Sequence, residues 1–206
     1  MSKHCVTSEE ELREVIGSPN PVVESKVMKV LDQTACEFIA NAPLVMMATV
    51  GPDGGVDVSP KGDSPGFVRV DSPTQLVIPD RPGNKMALGF SNLLANPEIG
   101  LIFVMPDMGE TLRVKGRATI SRDPALLESF AVENKPAILC TVVEVYESML
   151  HCGKAMIRSK LWQPETWTNE RQSFLATQMT KKLDLAQDQE PVVIDMIEQT
   201  YRDELY

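Results

Sequence analysis

The sequence predicts a mainly β fold, a small barrel or tightly coiled sheet of about six short strands with helices before and after it. Three observations point there. Short apolar runs bounded by Gly, Pro, Asn and Asp recur between residues 44 and 148. One helical pattern, residues 85–95, interrupts them. Before residue 41 and after residue 150 the strand rhythm gives way to polar segments with helical spacing.

Taken in order, Thr7-Ser8-Glu9-Glu10-Glu11 reads as a capping box opening a short helix that Gly17 stops. Pro19-Asn20-Pro21 is a linker. Val27, Val30, Leu31, Cys36, Phe38 and Ile39 recur at roughly helical spacing, which predicts one or two helices over residues 23–40, ended by Asn41-Ala42-Pro43. Residues 44–50 form a buried strand, Gly51-Pro52-Asp53-Gly54-Gly55 a hairpin turn, and residues 56–60 an alternating strand. Short strands follow at 66–70 and 75–78, around the turn Asp71-Ser72-Pro73. After the internal helix come strands at 99–105, 111–120 and 137–148, with a short helix at 124–132 between the last two. A basic helix is expected at 151–160, a helix from Thr166 or Thr168 to 178, a charged linker at 181–189 and a last helix at 191–201. The chain thus divides into a helical extension (1–40), a barrel domain (41–150) and a helical segment (151–206).

Composition narrows the function. A length of 206 residues supports one domain with extensions or two small ones. The net charge of −9 argues against a groove that tracks nucleic-acid phosphates. Cations nevertheless gather at 81–85, 113–117 and 154–160, so any anion site is local. Cys5, Cys36, Cys140 and Cys152 form no C-x-x-C pair, and the acidic N-terminal stretch lacks the apolar core of a signal peptide. The longest apolar runs, near 99–105 and 137–143, are too short to span a bilayer. The expectation is a cytoplasmic protein with reduced thiols, bound to neither membrane nor nucleic acid. A metal site is not expected, because the two histidines are His4 and His151 and zinc needs three or four spaced ligands. No Ser-His-Asp set, P-loop or Rossmann fingerprint is present, and the catalytic residues remain unknown.

The most informative stretch is 77–116. There an apolar strand gives way to the turn Pro79-Asp80-Arg81-Pro82-Gly83-Asn84-Lys85, which sets Arg81, Asn84 and Lys85 at the mouth of the internal helix. Unpaired N–H groups at a helix start favour an anion, and two cations with an amide beside them make a phosphate cradle. The alternative is a solvated strand-to-helix turn. Lys61 follows an alternating strand and is either a second cation for the phosphate or a surface lysine. Asp80 either orients Arg81 or Lys85, accepts from ligand hydroxyls, or forms the turn or an N-cap. Thr111 and Arg113 share a strand face that points to a cleft or to solvent. Lys154 and Arg158, four apart on the basic helix, share a face and are expected to turn toward the cleft. Cys152 is expected to pack or line the cleft, and Trp162 to pack or stack on a ligand ring.

Several motifs in succession resemble the pyridoxamine 5′-phosphate oxidase-like superfamily. They are Ser59-Pro60-Lys61-Gly62-Asp63, Pro65-Gly66-Phe67, Pro79-Asp80-Arg81-Pro82-Gly83-Asn84, Gly109-Glu110-Thr111-Leu112-Arg113-Val114, Gly116-Arg117-Ala118, His151-Cys152, Lys154-Ala155, Arg158-Ser159 and Leu161-Trp162. Together they resemble a branch of FMN-dependent proteins over about residues 30–165. The resemblance implies a six-stranded FMN-binding split barrel and a homodimer with FMN in two interface clefts built from both chains. The 151–206 segment then packs on the barrel or on the dimer partner. The flavin phosphate falls to Lys61, Arg81, Asn84 and Lys85, and a polar pair from the facing strand to Glu110 and Thr111. Oxidase members usually show Ser-Arg-Lys at the turn, where this chain has Gly83-Asn84-Lys85. They also carry a C-terminal Arg-x-His substrate clamp, which the acidic tail 186–206 lacks, so pyridoxamine phosphate is not the expected substrate. The function so implied is an FMN-dependent oxidoreductase acting on an unidentified small molecule. The alternatives are a non-catalytic flavin-binding protein, or a split barrel holding haem or a deazaflavin.

Overall fold

Capping chemistry sets the first elements. The computed structural model describes residues 4–167 and 173–206. Helix α1 (Glu9–Ile16) starts where Ser8 accepts from the Glu11 N–H (3.2 Å) while Glu11 reaches back to the Thr7 N–H (2.7 Å), and it stops at Gly17 with φ 75°. The expected helical stretch 23–40 is two elements. Asn20 and Pro21 open the short α2 (Pro21–Glu24), and Asp32 caps α3 (Gln33–Asn41) through the Ala35 N–H (2.8 Å). Between them Met28 bridges to Ser148, so the backbone is drawn out onto a strand edge rather than coiled.

Seven strands follow, as many as the segments read from the sequence and one more than the six-stranded barrel the resemblance implies: β1 (Leu44–Val50), β2 (Val56–Gly62), β3 (Arg69–Ser72), β4 (Gln75–Asp80), β5 (Glu98–Val104), β6 (Thr111–Ser121) and β7 (Leu139–His151). Helix α4 (Leu88–Ala95) lies between β4 and β5, and α5 (Pro124–Glu128) between β6 and β7. Helices α6 (Lys154–Ser159), α7 (Phe174–Lys182) and α8 (Glu190–Asp203) complete the chain. An expected helix start at Thr168 lies outside the described residues. Among the described residues no helix is long and apolar enough to cross a membrane.

The strands form a single antiparallel sheet in the order β2-β1-β5-β6-β7-β4-β3. Backbone pairing ends at β2 on one side and β3 on the other, so the barrel is split rather than closed. One face of each long strand is apolar. On β6 the buried residues Leu112, Val114, Gly116 and Ala118 alternate with exposed Arg113, Lys115, Arg117 and Thr119. The core gathers Val45, Met47, Leu76, Ile78, Leu101, Phe103, Leu112, Val114 and Val143 inside the curl. Ala35, Phe38 and Ile39 of α3 and Leu93 of α4 join it. Each fully buried aliphatic or aromatic side chain stabilises by roughly 1.5–3 kcal/mol.

Several boundaries differ from the sequence reading. Strand β4 runs through Pro79 and Asp80, which pair with Cys140 and Leu139 of β7. Pro79 is tolerated there because β3 pairs only as far as Val77, leaving that side of β4 without a ladder. The strand expected at 66–70 begins at Arg69, since Gly66 turns the chain with φ 87°. Helix α5 ends at Glu128, where Ser129 spends its hydroxyl on the Leu126 carbonyl (2.7 Å). His151 closes β7 instead of opening a helix, and the basic helix is only Lys154–Ser159.

Strong curl needs local irregularity. The β6–β7 register shifts at Lys115/Gly116, because Lys115 faces Glu147 while Gly116 faces Val145, leaving Tyr146 as the extra residue of a bulge. A Cβ on Gly116 would lie 2.5 Å from both the Glu144 carbonyl oxygen and Val143 Cγ1. Gly116→Ala is therefore expected to cost about 1–3 kcal/mol in urea unfolding, the range for overpacking a fixed backbone. A loss within about 0.5 kcal/mol, as for a surface change, would show that the bulge relaxes freely.

Candidate functional site

The alternation of β2 builds the floor of the site. Asp57, Ser59 and Lys61 turn toward the interior of the split barrel, while Val56, Val58 and Pro60 face outward. Ser59 Oγ donates to Asp57 Oδ2 (2.8 Å). Gly89 in α4 lets the helix settle here, since a Cβ would come within 3.2 Å of Met47 Cε and 3.5 Å of Asp57 Oδ2. The Lys61 ammonium sits 5.2 Å from the centre of the Phe90 ring.

Across the open seam β4 supplies the other wall. The Lys61 ammonium donates to Asp80 Oδ1. One residue further along, Arg81 donates through Nε (3.1 Å) to Asp63 Oδ2, and its Nη2 lies 3.1 Å from the same oxygen. Two ion pairs thus join segments that share no backbone ladder. The Asp63 and Arg81 side chains are only 5% and 15% exposed. Arg81 Nη1 is buried and has no hydrogen-bond partner among the described residues. Tyr206 completes this corner. Its hydroxyl donates to Asp63 Oδ1 (2.8 Å), and its ring centre lies 5.5 Å from the guanidinium carbon. The bond to Asp63 holds the Tyr206 phenol above its usual pKa.

Between these walls lies a cleft of about 1020 Å³, lined among others by Asp57, Ser59, Lys61, Asp80, Arg81, Asn84, Lys85, Phe90 and Tyr206. At its rim the turn is strained. Lys85 and Ala87 have φ 62° and 51°, a left-handed region costly for residues with a Cβ. Asn84 Oδ1 accepts from the Met86 N–H (3.0 Å), and Ala87 provides no side-chain cap for α4. The helix start therefore presents its N–H groups without a side-chain acceptor from its own cap residue.

Five of the sequence-derived residues, Lys61, Asp80, Arg81, Asn84 and Lys85, thus meet in one cleft. Asp80 is neither turn-former nor N-cap. It ends β4 and pairs with Lys61, because the strand runs two residues further than its apolar stretch. Glu110, Thr111, Arg113, Lys154 and Arg158 do not line that cleft. They gather at the other end of β6 and β7, where Thr111 faces His151 and Gly109 packs against Gly153. There Lys154 and Arg158 are exposed, as are Glu110 and Arg113. Trp162 packs in this region by donating to the Met108 carbonyl (2.9 Å), and Cys152 is exposed. Asn92 donates to the buried Thr49 hydroxyl (3.1 Å) and is structural. Among the described residues no group of three His, Cys, Asp or Glu side chains is placed to hold a metal ion.

Sequence reasoning missed Asp57, Ser59, Phe90 and Tyr206 as cleft residues. The period-two spacing of Asp57, Ser59 and Lys61 was a usable signal, since it places all three on one strand face. Nothing in the sequence near Tyr206 marks its contact with Asp63, 143 residues earlier.

Residues 31–149 match the family described as pyridoxamine 5′-phosphate oxidase, and the chain belongs to that family. No curated protein sequence matches the chain. Among solved structures, a HupZ variant from Group A Streptococcus is similar at 18% identity, covering 59% of this chain and 99% of that one with a TM-score of 0.49. A Lactobacillus delbrueckii protein provisionally named a pyridoxamine 5′-phosphate oxidase is similar at 21% identity, over 59% of this chain and 95% of that one, with a TM-score of 0.47. An FMN-binding protein from Syntrophomonas wolfei is similar at 12% identity, over 68% and 92% of the two chains, with a TM-score of 0.45.

The enclosed Asp63–Arg81 pair sets an expectation for stability. Asp63→Ala leaves a guanidinium half-enclosed without its carboxylate and is expected to cost about 3 kcal/mol in urea unfolding. The double variant Asp63→Ala/Arg81→Met should recover part of that loss, because no stranded charge remains. If the two substitutions simply add, the pair is solvated and does not hold the seam.

Proposed function

We propose that this member of the pyridoxamine 5′-phosphate oxidase family is an FMN-dependent oxidoreductase acting on a small molecule. One observation carries the reading: Arg81, whose buried Nη1 has no partner among the described residues, lines a cleft that also holds the uncapped start of α4. A buried donor left unpaired costs about 1–3 kcal/mol, so a site that keeps one is built for an acceptor from outside the chain. A phosphate suits it, since it offers several acceptor oxygens and nearly two charges. The residues present fit the group. Arg81, Lys85, Asn84 and the α4 N–H groups would hold the phosphate, with Lys61 and Asp80 beneath. Asp57 and Ser59 offer polar partners for hydroxyls of the ligand. When bound, the flavin supplies the redox chemistry, and the protein binds, orients and shields it.

The same reading includes a homodimer with sites at the interface. The outward face of β2 leaves Val56 and Val58 68% and 55% exposed, and Ile102 of β5 is 40% exposed. Strand β1 joins them, with Ala48 opposite Val58 and Met46 opposite both Pro60 and Ile102. Such an apolar sheet face is most simply covered by a two-fold contact. Glu110, Thr111, Arg113, Lys154 and Arg158 then serve the cleft of the other protomer rather than their own. Four free cysteines suit a reducing compartment, and we place the protein in the cytoplasm.

The phosphate argument predicts that FMN binds more tightly than riboflavin when each is titrated into apoprotein and followed by flavin fluorescence. A difference of tenfold or more is expected, since losing charge-assisted hydrogen bonds of about 1.5–3 kcal/mol each has that effect. Equal affinities would remove the phosphate from the reading. Sedimentation velocity at low micromolar concentration should show a dimer with and without FMN. A flavin-loaded monomer would refute the shared site.

A further inference from the structure

The Asp63–Arg81 corner has a cover. Helix α8 has one buried residue, Val193, and its neighbour α7 supplies Ala176 and Thr180. The end of α8 and the residues after it nevertheless lie at the cleft. Asp203, Glu204 and Tyr206 all line it. Three contacts hold Tyr206: its hydroxyl on Asp63, its ring against the Arg81 guanidinium, and its backbone carbonyl oxygen accepting from Lys135 Nζ (2.9 Å). An element held by so few buried contacts opens locally at a small fraction of the global unfolding free energy. With the segment in place, Asp203 and Glu204 line the cleft alongside Arg81, and their negative charge disfavours an incoming anion. Moving it aside removes both the aromatic cover and those charges, while Asp63 keeps the guanidinium oriented.

We propose that Tyr206 is a latch on the anion-binding end of the cleft. Closed, it covers Arg81. Open, it admits a phosphate-bearing ligand to the guanidinium. The class of ligand rests on the FMN reading above, but the latch does not. The test uses the full-length, ligand-free protein and phenylglyoxal, a guanidinium reagent, with labelling of each arginine followed by peptide mass spectrometry. Tyr206→Phe and Lys135→Met each remove one hydrogen bond of the latch, and each should raise the Arg81 labelling rate about fivefold, the shift expected for one such bond. Tyr206→Ala should raise it further. Arg69, paired with Asp71 outside the cleft lining, is the internal reference and should keep its wild-type rate. In parallel, stopped-flow mixing with FMN should show association rates rising in the same order. Wild-type labelling of Arg81 in Tyr206→Ala would overturn the latch, as would an equal rise at Arg69, which reports general loosening. If Arg81 labelling rises but FMN binds to no variant, the latch stands and the cofactor reading falls. If FMN binds but labelling and association are unchanged, the cofactor reading stands and the latch falls.

Discussion

The split in the barrel is bridged by charge. The backbone ladder stops at β2 and β3, yet Lys61 meets Asp80 and Asp63 meets Arg81 across the gap. Lys61 and Asp63 stand two residues apart on one side and Asp80 and Arg81 next to each other on the other, with the signs reversed from one pair to the next. An apolar seam would hold the edges as firmly, because taking charges out of water offsets most of their mutual attraction. What an apolar seam does not do is set cations at known positions inside a cleft. Each carboxylate keeps its partner pointed, and Arg81 is left with one nitrogen that has no partner among the described residues. The seam is therefore both the closure of the fold and the wall of the site.

That arrangement bears on a chain of net charge −9. Long-range attraction cannot bring an anion to such a surface, so selectivity has to be local. For the proposed phosphate ligand the cleft offers directed donors rather than excess charge: the guanidinium, the Lys61 ammonium and the uncapped helix start. The left-handed residues Lys85 and Ala87 belong to the same account. Straining that turn brings α4 into the cleft without a capping side chain to occupy its N–H groups. Gly89 has the complementary role, since the helix can approach β2 only where a Cβ is missing.

The placement of the remaining basic residues has a topological cause. Glu110, Thr111 and Arg113 sit at the start of β6, and Lys154 and Arg158 just past the end of β7, where the two strands pair. By register that is the end of the sheet where β2 finishes, with Lys61 in line with Val45, Phe103, Leu112 and Leu150, and the opposite end from Asp80, which pairs with Leu139. Curling the sheet brings β2 to β4, while the start of β6 and the end of β7 stay separated from β2 by β1 and β5. In the homodimer proposed above, the two polar clusters of each chain would complete one another's sites.

Much of the fold was legible from the residues. The strand runs, the capping box at Ser8, the hairpin at 51–55 and the internal helix all depend on neighbours in sequence, and local chemistry decides them. The cradle turn was legible too, because a strand end, two cations and a helix start lie within a few residues of one another. Other features answer to distant partners. Strand β4 continues through Pro79 only because β3 has ended beside it. Helix α4 begins three residues late because Lys85 and Ala87 turn left-handed. Asp80 and Asp63 became partners of Lys61 and Arg81 through the curl of the sheet, and Tyr206 reached the cleft through the packing of a segment with no local signature. Residue types and their short-range spacing determined which elements form and which side chains have the chemistry for an anion. Which of those side chains share a cleft was decided only when the sheet coiled, because coiling joins segments whose separation along the chain no local pattern records.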